Sequence, residues 1–227
     1  MHQFIGKKKY ILFIFLFFLT SINSQIFVEK KDSLYDLNHI EVVGLNEKLN
    51  MEIKKNLNFV KEMNIFFLDK EILEDQINKY NFIESYNISI LYPSKIIIKL
   101  KQTKILGKTY KDNEVYLIGS NGKFIDIKKF NQYKNLPIVY GKFNPDKFIF
   151  LKNIIYEINL NYNDIKEIFF YPSGRSDIKT IDGVLIKLPI NNVKEALIKA
   201  NKIMNNKNLK NNVIDLRVSN QLILSNE

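Results

Sequence analysis

The sequence predicts an α+β protein with an N-terminal transmembrane helix, a small domain of order β-α-α-β-β, and a mostly antiparallel β-domain with two helices. Three observations predict this class. An apolar run, Ile11 to Leu19, lies near the N-terminus; helix-like and strand-like patterns then alternate; short strand patterns separated by Asn-Gly and Asp-Gly turns follow. The predicted boundaries are a cytoplasmic tail 1–9, a transmembrane helix 10–28, a linker 29–37, and domains 38–104 and 105–227.

The N-terminal apolar segment is typical of membrane targeting. Three lysines at 7–9 precede it, and residues 10–28 would rise about 28 Å as a helix, close to the hydrocarbon thickness of about 30 Å. A cleaved signal peptide remains an alternative, because the second half of the segment is polar, although no A-x-A-like cleavage pattern is present. In both cases the lysines stay in the cytoplasm and the bulk of the chain crosses the membrane. The anchor prediction comprises Ile11, Leu12, Phe13, Ile14, Phe15, Leu16, Phe17, Phe18 and Leu19.

The small domain is predicted from short-range spacing. Apolar residues at helical intervals follow two capping candidates, Asn50 and Asp69, and an alternating strand with Ile88 and Ile90 on one face leads into a Tyr-Pro-Ser-Lys turn. A three-stranded sheet covered on one face by two helices accommodates this order. The elements are strand His39–Val43, a helix capped by Asn50, a helix from Asp69 to about Asn81, strand Ser85–Tyr92 and strand Ile96–Leu100.

The second domain is predicted to be strand-rich. A Gly-Ser-Asn-Gly turn separates two strands of a hairpin, and Asp182-Gly183 lies within a meander. Apolar stripes at a spacing of three and four residues predict two helices. The elements are strands Val115–Ile118 and Phe124–Ile127, helix Asp146–Leu160, strands Ile165–Tyr171, Ile178–Ile181 and Val184–Leu188, helix Val193–Met204, and strands Val213–Val218 and Gln221–Leu224.

Composition excludes much of enzyme chemistry. The chain of 227 residues has no cysteine and only two histidines, so disulfides, thiolate nucleophiles and multi-histidine metal sites are not expected. Asp164, Glu167, Asp177 and Asp182 are scattered over predicted strand ends and turns, which favours solvated turn acids over a catalytic carboxylate pair. The sequence therefore predicts a protein without an active site and without a cofactor.

Net charge gives a second constraint. The formal charge of +10 would attract nucleic acid or an anionic membrane, but lysine and asparagine are spread along the whole chain. No basic segment is interleaved with aromatic residues as in a nucleic-acid-binding module. Nucleic acid and small-molecule substrates are not expected as partners.

The ordered motifs resemble the FtsQ/DivIB family of bacterial cell division proteins. The segments I-E-V-V-G, N-I-F-F-L-D and Y-N-I-S-I-L-Y-P-S-K-I-I-I-K-L are similar to its polypeptide-transport-associated (POTRA) domain. L-P-x-x-x-G, D-G-V-L-I-K-L-P before a helix, and V-I-D-L-R before a terminal strand are similar to its β-domain. The sequence departs from the family in lacking the Glu and Pro that usually follow the third POTRA strand, and in having Ile178 where a tryptophan is frequent.

The resemblance implies a non-enzymatic, single-pass inner-membrane protein at the division septum, with its C-terminal bulk in the periplasm. Members of the family recruit the FtsB–FtsL pair through the terminal strand and so link early division proteins to septal peptidoglycan synthesis. A strand at a sheet edge carries unpaired backbone groups that can accept a strand from a partner. By position, the implied FtsB contacts are Arg175, Val218, Ser219, Asn220, Gln221 and Leu222, and the POTRA domain is expected to contact other divisome proteins.

Two other classes of protein are compatible with the residues. One is a secreted periplasmic binding or envelope-assembly POTRA protein whose signal peptide is removed. The other is an outer-membrane assembly component, although about 120 residues after one POTRA unit are too few for a typical large pore. For the POTRA-like part, the second strand is the candidate sheet edge.

Overall fold

The computed structural model describes residues 10, 13–17, 35–61, 63–130, 135–206, 212–218 and 221–226. Residues 13–17 are helical and their side chains are exposed. Ile11, Leu12, Phe18 and Leu19 of the predicted anchor lie outside the described residues. Among the residues that are described, no helix combines the length and the apolar character needed to cross a membrane.

The first sheet has three strands and two helices in the predicted order. These are β1 (His39–Val43), α1 (Glu47–Asn56), α2 (Lys70–Asn78), β2 (Ile83–Leu91) and β3 (Lys95–Gln102). β3 lies in the centre, parallel to β1 and antiparallel to β2. Leu49 and Ile53 of α1 and Leu73 and Ile77 of α2 are buried, so both helices contribute one apolar stripe to the core.

The start of α1 corrects a prediction. Asn46, not Asn50, caps this helix: its side chain accepts a hydrogen bond of 2.9 Å from the Leu49 amide. Asn50 lies inside the helix and its side chain bonds back to the backbone of Leu45. Asp69 caps α2 as predicted, accepting from the Glu71 amide at 3.0 Å.

The second sheet has nine strands and two helices. Five of its eight neighbouring strand pairs are antiparallel and three are parallel, which agrees with the predicted mostly antiparallel arrangement. Its strand order is β12-β11-β10-β9-β8-β7-β4-β5-β6. The elements are β4 (Ile105–Lys111), β5 (Glu114–Gly119), β6 (Phe124–Asp126), β7 (Ile138–Tyr140), α3 (Pro145–Glu157), β8 (Ile165–Phe170), β9 (Ser176–Thr180), β10 (Leu185–Lys187), α4 (Val193–Asn206), β11 (Asn212–Asp215) and β12 (Ile223–Asn226).

This sheet differs from the prediction in several places. β7 was not predicted as a strand, and β11 ends at Asp215 rather than Val218. β4 and its hairpin turn to β5 were not predicted; Asp112 and Asn113 form that turn with positive φ angles of 50° and 61°. The final strand begins at Ile223 rather than Gln221. The meander formed by β8, β9 and β10 is as predicted.

The helices cover one face of the nine-stranded sheet. Ile168, Ile178, Ile186 and Ile214 follow each other in register across β8, β9, β10 and β11, and all four are fully buried. They belong to one core with buried side chains of α3 and α4. Because side chains alternate between the faces of a strand, the neighbouring row of residues lies on the face opposite the helices, which we call the open face.

The two sheets share a core where they meet. Leu117 and Ile125 of the nine-stranded sheet belong to the same buried cluster as the core of the three-stranded sheet. The rings of Phe82 and Phe130 pack edge to face at 5.5 Å. The Asn121 side chain donates hydrogen bonds of 2.9 and 3.0 Å to the carbonyls of Asn81 and Ile83.

Candidate protein-interaction surface

β12 lies at one edge of the nine-stranded sheet. It pairs on one side with β11, in antiparallel register from Asp215–Ile223 to Asn212–Asn226, and is the terminal strand of the described sheet. An edge strand leaves every second residue's N–H and C=O without a ladder partner. The predicted edge position of the last strand is therefore confirmed.

The hydrogen bonds between β11 and β10 identify which backbone groups of β12 point outward. Leu216 N donates to Lys187 O, so the even-numbered residues of β11 direct their backbone groups toward β10. Val213 and Asp215 then direct theirs toward β12, where they pair with Ser225 and Ile223. The backbone groups of Leu224 and Asn226 consequently point away from the sheet.

The residues predicted to contact a partner precede this strand. Gln221 N donates a hydrogen bond of 3.2 Å to Val218 O, and Leu222 follows directly before β12. Ser219 and Asn220 lie outside the described residues. Val218, Leu222 and Ile223 are all exposed, Ile223 to 51%. The entry to the edge strand therefore carries apolar side chains beside free backbone groups.

A shallow cavity adjoins Val218 and Gln221. It has a volume of about 310 Å³ and is lined on one side by the loop before α4 and on the other by the segment after β11. The lining residues include Ile190, Asn192, Lys199, Arg217, Val218 and Gln221. Apolar and cationic groups thus lie together next to the edge.

Arg217 is held by Asp215 at the end of β11. Its Nε lies 2.9 Å from Oδ1 of Asp215, and its backbone amide donates to the same oxygen at 3.1 Å. The side-chain hydrogen bond from Arg217 is the largest of the effects that hold the pKa of Asp215 below its ordinary value. This pair fixes the direction in which the chain leaves β11.

Arg175 is not a free surface cation. Its guanidinium carbon lies 4.1 Å from the centroid of the Tyr171 ring, and its Nε lies 3.3 Å from Oδ1 of Asp177. The side chain of Asp177 is 2% exposed and that of Arg175 is 25% exposed. Burial raises the pKa of Asp177, and the charge of Arg175 opposes that rise. Arg175 thus compensates a buried carboxylate within the chain.

The burial of Asp177 corrects the expectation that it is a solvated turn acid. It lies within β9, in a row of open-face residues that runs from Phe169 through Asp177 and Lys187 to Asp215. The sequence signal that could have placed Asp177 on the open face is the alternation of side chains along β9, Ser-Asp-Ile-Lys-Thr. Ile178 faces the helices, so its neighbour Asp177 faces the opposite side. β9 lies three strand spacings, about 14 Å, from β12.

The three-stranded sheet offers a second edge. β2 is its terminal strand in the described residues, on the side of β3 opposite β1, as the sequence predicted. Ser85, Asn87 and Leu91 of this strand are exposed. In the part of the chain that the structure describes, no group of three or more acidic or histidine side chains is placed to hold a metal ion.

The fold and these edges define a class of protein: a POTRA domain followed by a β-domain that ends in an exposed strand. The family model described as "POTRA domain, FtsQ-type" matches residues 36–102, and the one described as "Cell division protein FtsQ/DivIB, C-terminal" matches residues 109–217. Together the two models match well over half of the chain. The chain belongs to the FtsQ/DivIB family of cell division proteins.

Two curated relatives are DivIB proteins. The cell division protein DivIB of Clostridium botulinum, strain Hall, is 28% identical over 134 residues, which cover 59% of this chain and 49% of the relative. The DivIB of strain Loch Maree matches to the same extent. The chain therefore spans about half the length of the curated relatives it matches. The solved extracytoplasmic domain of DivIB from Geobacillus stearothermophilus is 15% identical, with a TM-score of 0.33 over 43% of this chain and 87% of that one.

Proposed function

We propose that the chain is a non-enzymatic adaptor of the division machinery that recruits an FtsB–FtsL complex to the septum and links early division proteins to septal peptidoglycan synthesis. In this proposal residues 10–28 form a single transmembrane anchor in the inner membrane, the short N-terminal tail is cytoplasmic, and the remaining chain is periplasmic. The family membership supports a role in division. A secreted periplasmic form with a cleaved signal peptide is the alternative.

The observation that carries this proposal is the open edge of β12. Leu224 and Asn226 present outward backbone groups, and exposed Leu222 and Ile223 lie beside them. An added FtsB strand would gain main-chain hydrogen bonds from the edge and apolar contacts from these side chains. The proposed partner contacts at the entry to the edge are Val218, Ser219, Asn220, Gln221 and Leu222.

Arg175 has a secondary place in the proposal. Its Nε lies 3.3 Å from the Asp177 carboxylate, so an acidic group of FtsB would meet a cation whose charge is already partly compensated. Arg175 directly precedes β9, and β9 lies about 14 Å from β12, so an FtsB segment would have to continue past the added strand to reach it. Such a contact would contribute specificity more than affinity.

A proline pair at the end of β12 tests the strand addition. Asn226→Pro removes an outward N–H and leaves the ladder to β11 intact, whereas Ser225→Pro removes an inward N–H of the ladder itself. We expect Asn226→Pro to weaken FtsB–FtsL capture about fivefold or more without changing the unfolding midpoint, since one lost hydrogen bond costs about 1 kcal/mol. Ser225→Pro should lower the midpoint.

A charge at the edge gives an independent test. Ile223→Lys keeps the backbone pairing with Asp215 but places a charge where a partner strand would pack, a substitution that blocks edge pairing in natural sheets. Pull-down of FtsB–FtsL by the full-length variants measures both effects. Capture that is unchanged in Asn226→Pro and Ile223→Lys contradicts the assignment to β12.

The anchor is tested separately. Membranes from cells that express the full chain are washed with alkaline carbonate, and the N-terminus of the protein is determined. Retention in the pellet with the lysines at 7–9 present agrees with a transmembrane helix. A soluble, shortened chain contradicts the anchor and favours the secreted alternative.

A further inference from the structure

A cluster of exposed aromatic side chains lies at one end of the three-stranded sheet. The ring of Phe66 stacks on that of Tyr92 at 4.9 Å and meets that of Tyr35 edge to face at 5.2 Å. The adjacent Phe67 is 88% exposed, the highest exposure among the large hydrophobic side chains of the described chain. We call Tyr35, Phe66, Phe67 and Tyr92 the aromatic patch.

The patch is built by three segments that the topology brings to the same end. β1 and β3 both begin there and β2 ends there, since His39 and Leu91 are both in register with Lys95. Tyr35 O accepts from Ile65 N at 2.8 Å, which ties the entering chain to the connection between the helices. Asn38 N donates to Ser94 O at 3.0 Å, which ties it to the turn after β2.

The nine-stranded sheet lies at the opposite end. Asn121 contacts the carbonyl of Ile83, the first residue of β2, whereas the patch adjoins its last residue. The nine residues of β2 span about 30 Å. The three-stranded sheet therefore separates the aromatic patch from the sheet that carries the β12 edge.

The patch is also where the chain arrives from the apolar run. Residues 20–34 separate Leu19 from Tyr35, and even fully extended they reach no more than about 60 Å. If the run is anchored in a bilayer, the patch is held close to that bilayer at a high effective concentration, so weak contacts are populated. Aromatic side chains favour the interface between lipid headgroups and acyl chains.

We propose that the aromatic patch is a lipid-contact surface that seats the POTRA domain on the membrane with the β12 edge directed away from it. The proposal rests on the membrane anchor of the proposed function. Its occupant is the headgroup region of a phospholipid bilayer, and the surplus of 34 basic over 24 acidic residues adds attraction to anionic lipid.

A cysteine-free chain permits a direct test. Phe67→Cys and Phe150→Cys each introduce a unique thiol at an exposed phenylalanine; Phe150, on α3 of the nine-stranded sheet, is 64% exposed. Each full-length variant is labelled with the same fluorophore and reconstituted into vesicles of phosphatidylethanolamine and phosphatidylglycerol that contain a doxyl-labelled phospholipid. The label at 150 controls for insertion driven by the fluorophore itself.

We expect the label at 67 to be quenched several-fold more strongly than the label at 150. Equal quenching at the two positions overturns the proposal. So does a thiol at 67 that is protected from maleimide in cells but unquenched by lipid in vesicles, because a protein then covers the patch. Carbonate extraction of membranes separates the anchor hypothesis from the lipid-contact hypothesis. If carbonate removes the chain from the membrane but the label at 67 is strongly quenched, the anchor is contradicted and the lipid contact is not.

Discussion

Single residues in the β-domain have roles that depend on burial. Asp177 is almost fully buried on a sheet face that is otherwise partly exposed, and Arg175 supplies the neighbouring charge at 3.3 Å. Removing one member of a buried ion pair leaves the other charge uncompensated, which costs more than the pair itself contributes. A charge reversal at Arg175 therefore perturbs the fold as well as any partner contact.

Arg175→Ala should destabilise the protein by about 2 kcal/mol at pH 7, a value below that of a fully buried pair because Arg175 is partly exposed. The pKa of Asp177 is already raised by burial, so its ionised form disfavours folding as pH rises through that pKa. Without Arg175 the pKa should rise further. Urea unfolding should accordingly show that Arg175→Ala loses more stability, relative to the wild type, at pH 7 than near pH 4.

The matched variant is Arg175→Ala with Asp177→Asn, in which a neutral amide replaces the carboxylate. This double variant should recover part of the lost stability, whereas Lys147→Ala, an exposed position on α3, should change stability by less than about 0.5 kcal/mol. A pH-independent loss, or no recovery in the double variant, would contradict the compensating role of Arg175.

Asp215 and Arg217 give the opposite pH dependence. The pKa of Asp215 is lowered in the folded protein, chiefly by the hydrogen bond from Arg217. The unfolded state therefore binds its proton at higher pH, so the stabilisation is fully present above the ordinary pKa and is lost as pH falls through the folded value. Arg217→Ala should be less stable than the wild type at pH 7, with the difference shrinking toward pH 3.

Urea titrations from pH 3 to pH 7 measure this convergence. Asp215→Asn is the control, because it removes the titrating carboxyl group. Its free energy of unfolding should depend on pH as weakly as that of Arg217→Ala. Parallel curves for the wild type and Arg217→Ala across the whole range would exclude the pair as the origin of the acid dependence.

At the scale of elements, two strand ends in the β-domain depend on glycine for different reasons. Gly141 follows β7 with φ of +92°, and a Cβ there would lie 1.9 Å from the Phe170 carbonyl oxygen. Gly174 has a similar φ of +89°, but its nearest atom, Cγ2 of Ile190, would be 3.9 Å away. Comparing alanine substitutions at Gly141 and Gly174 therefore separates the conformational cost of a positive φ from the steric cost of a Cβ atom.

Gly174→Ala should cost about 1 kcal/mol, the penalty for a left-handed alanine alone. Gly141→Ala should cost several times more, because the backbone of β8 must also move. Thermal unfolding of both variants measures the difference. Equal shifts in the midpoint would show that the close approach at Gly141 is relieved without cost.

Helix and strand identities in this chain follow from local pattern, but their ends do not always. Asn46 and Asn50 are equally suitable capping residues four positions apart. Gly44 ends β1 directly before this segment, and Leu49 packs into the core from the first turn, so the helix begins at the earlier asparagine. Tertiary packing selects between two caps that local chemistry leaves equivalent.

At the scale of the whole molecule, the two sheets are joined by a common core and polar contacts. Leu117 is fully buried among residues of the three-stranded sheet although it belongs to β5. Asn121 adds hydrogen bonds to two carbonyls across the junction. Two bodies that share a core in this way are expected to unfold cooperatively.

The variant Leu117→Ala with Asn121→Ala should convert one unfolding transition into two. Leu117→Ala alone should cost about 3 kcal/mol as a buried large-to-small change. Leu151→Ala, in the core between α3 and the nine-stranded sheet, is the control: it should lower the midpoint without separating the transitions. Calorimetry distinguishes the outcomes, and a single transition in the double variant would contradict coupling through the junction.

The sequence by itself determined the order of elements in the three-stranded sheet, the β5–β6 hairpin and the meander of the second sheet, and the membership of the family. These depend on short-range features: periodicity, caps such as Asp69, and turns such as Asp182-Gly183. Only the tertiary structure decided the placement of β7 between β4 and β8, the burial of Asp177 beside Arg175, and the gathering of the aromatic patch at the end where the chain enters. Each of these joins residues from different strands or connections, and such contacts follow from strand order and sheet register, which local pattern does not specify.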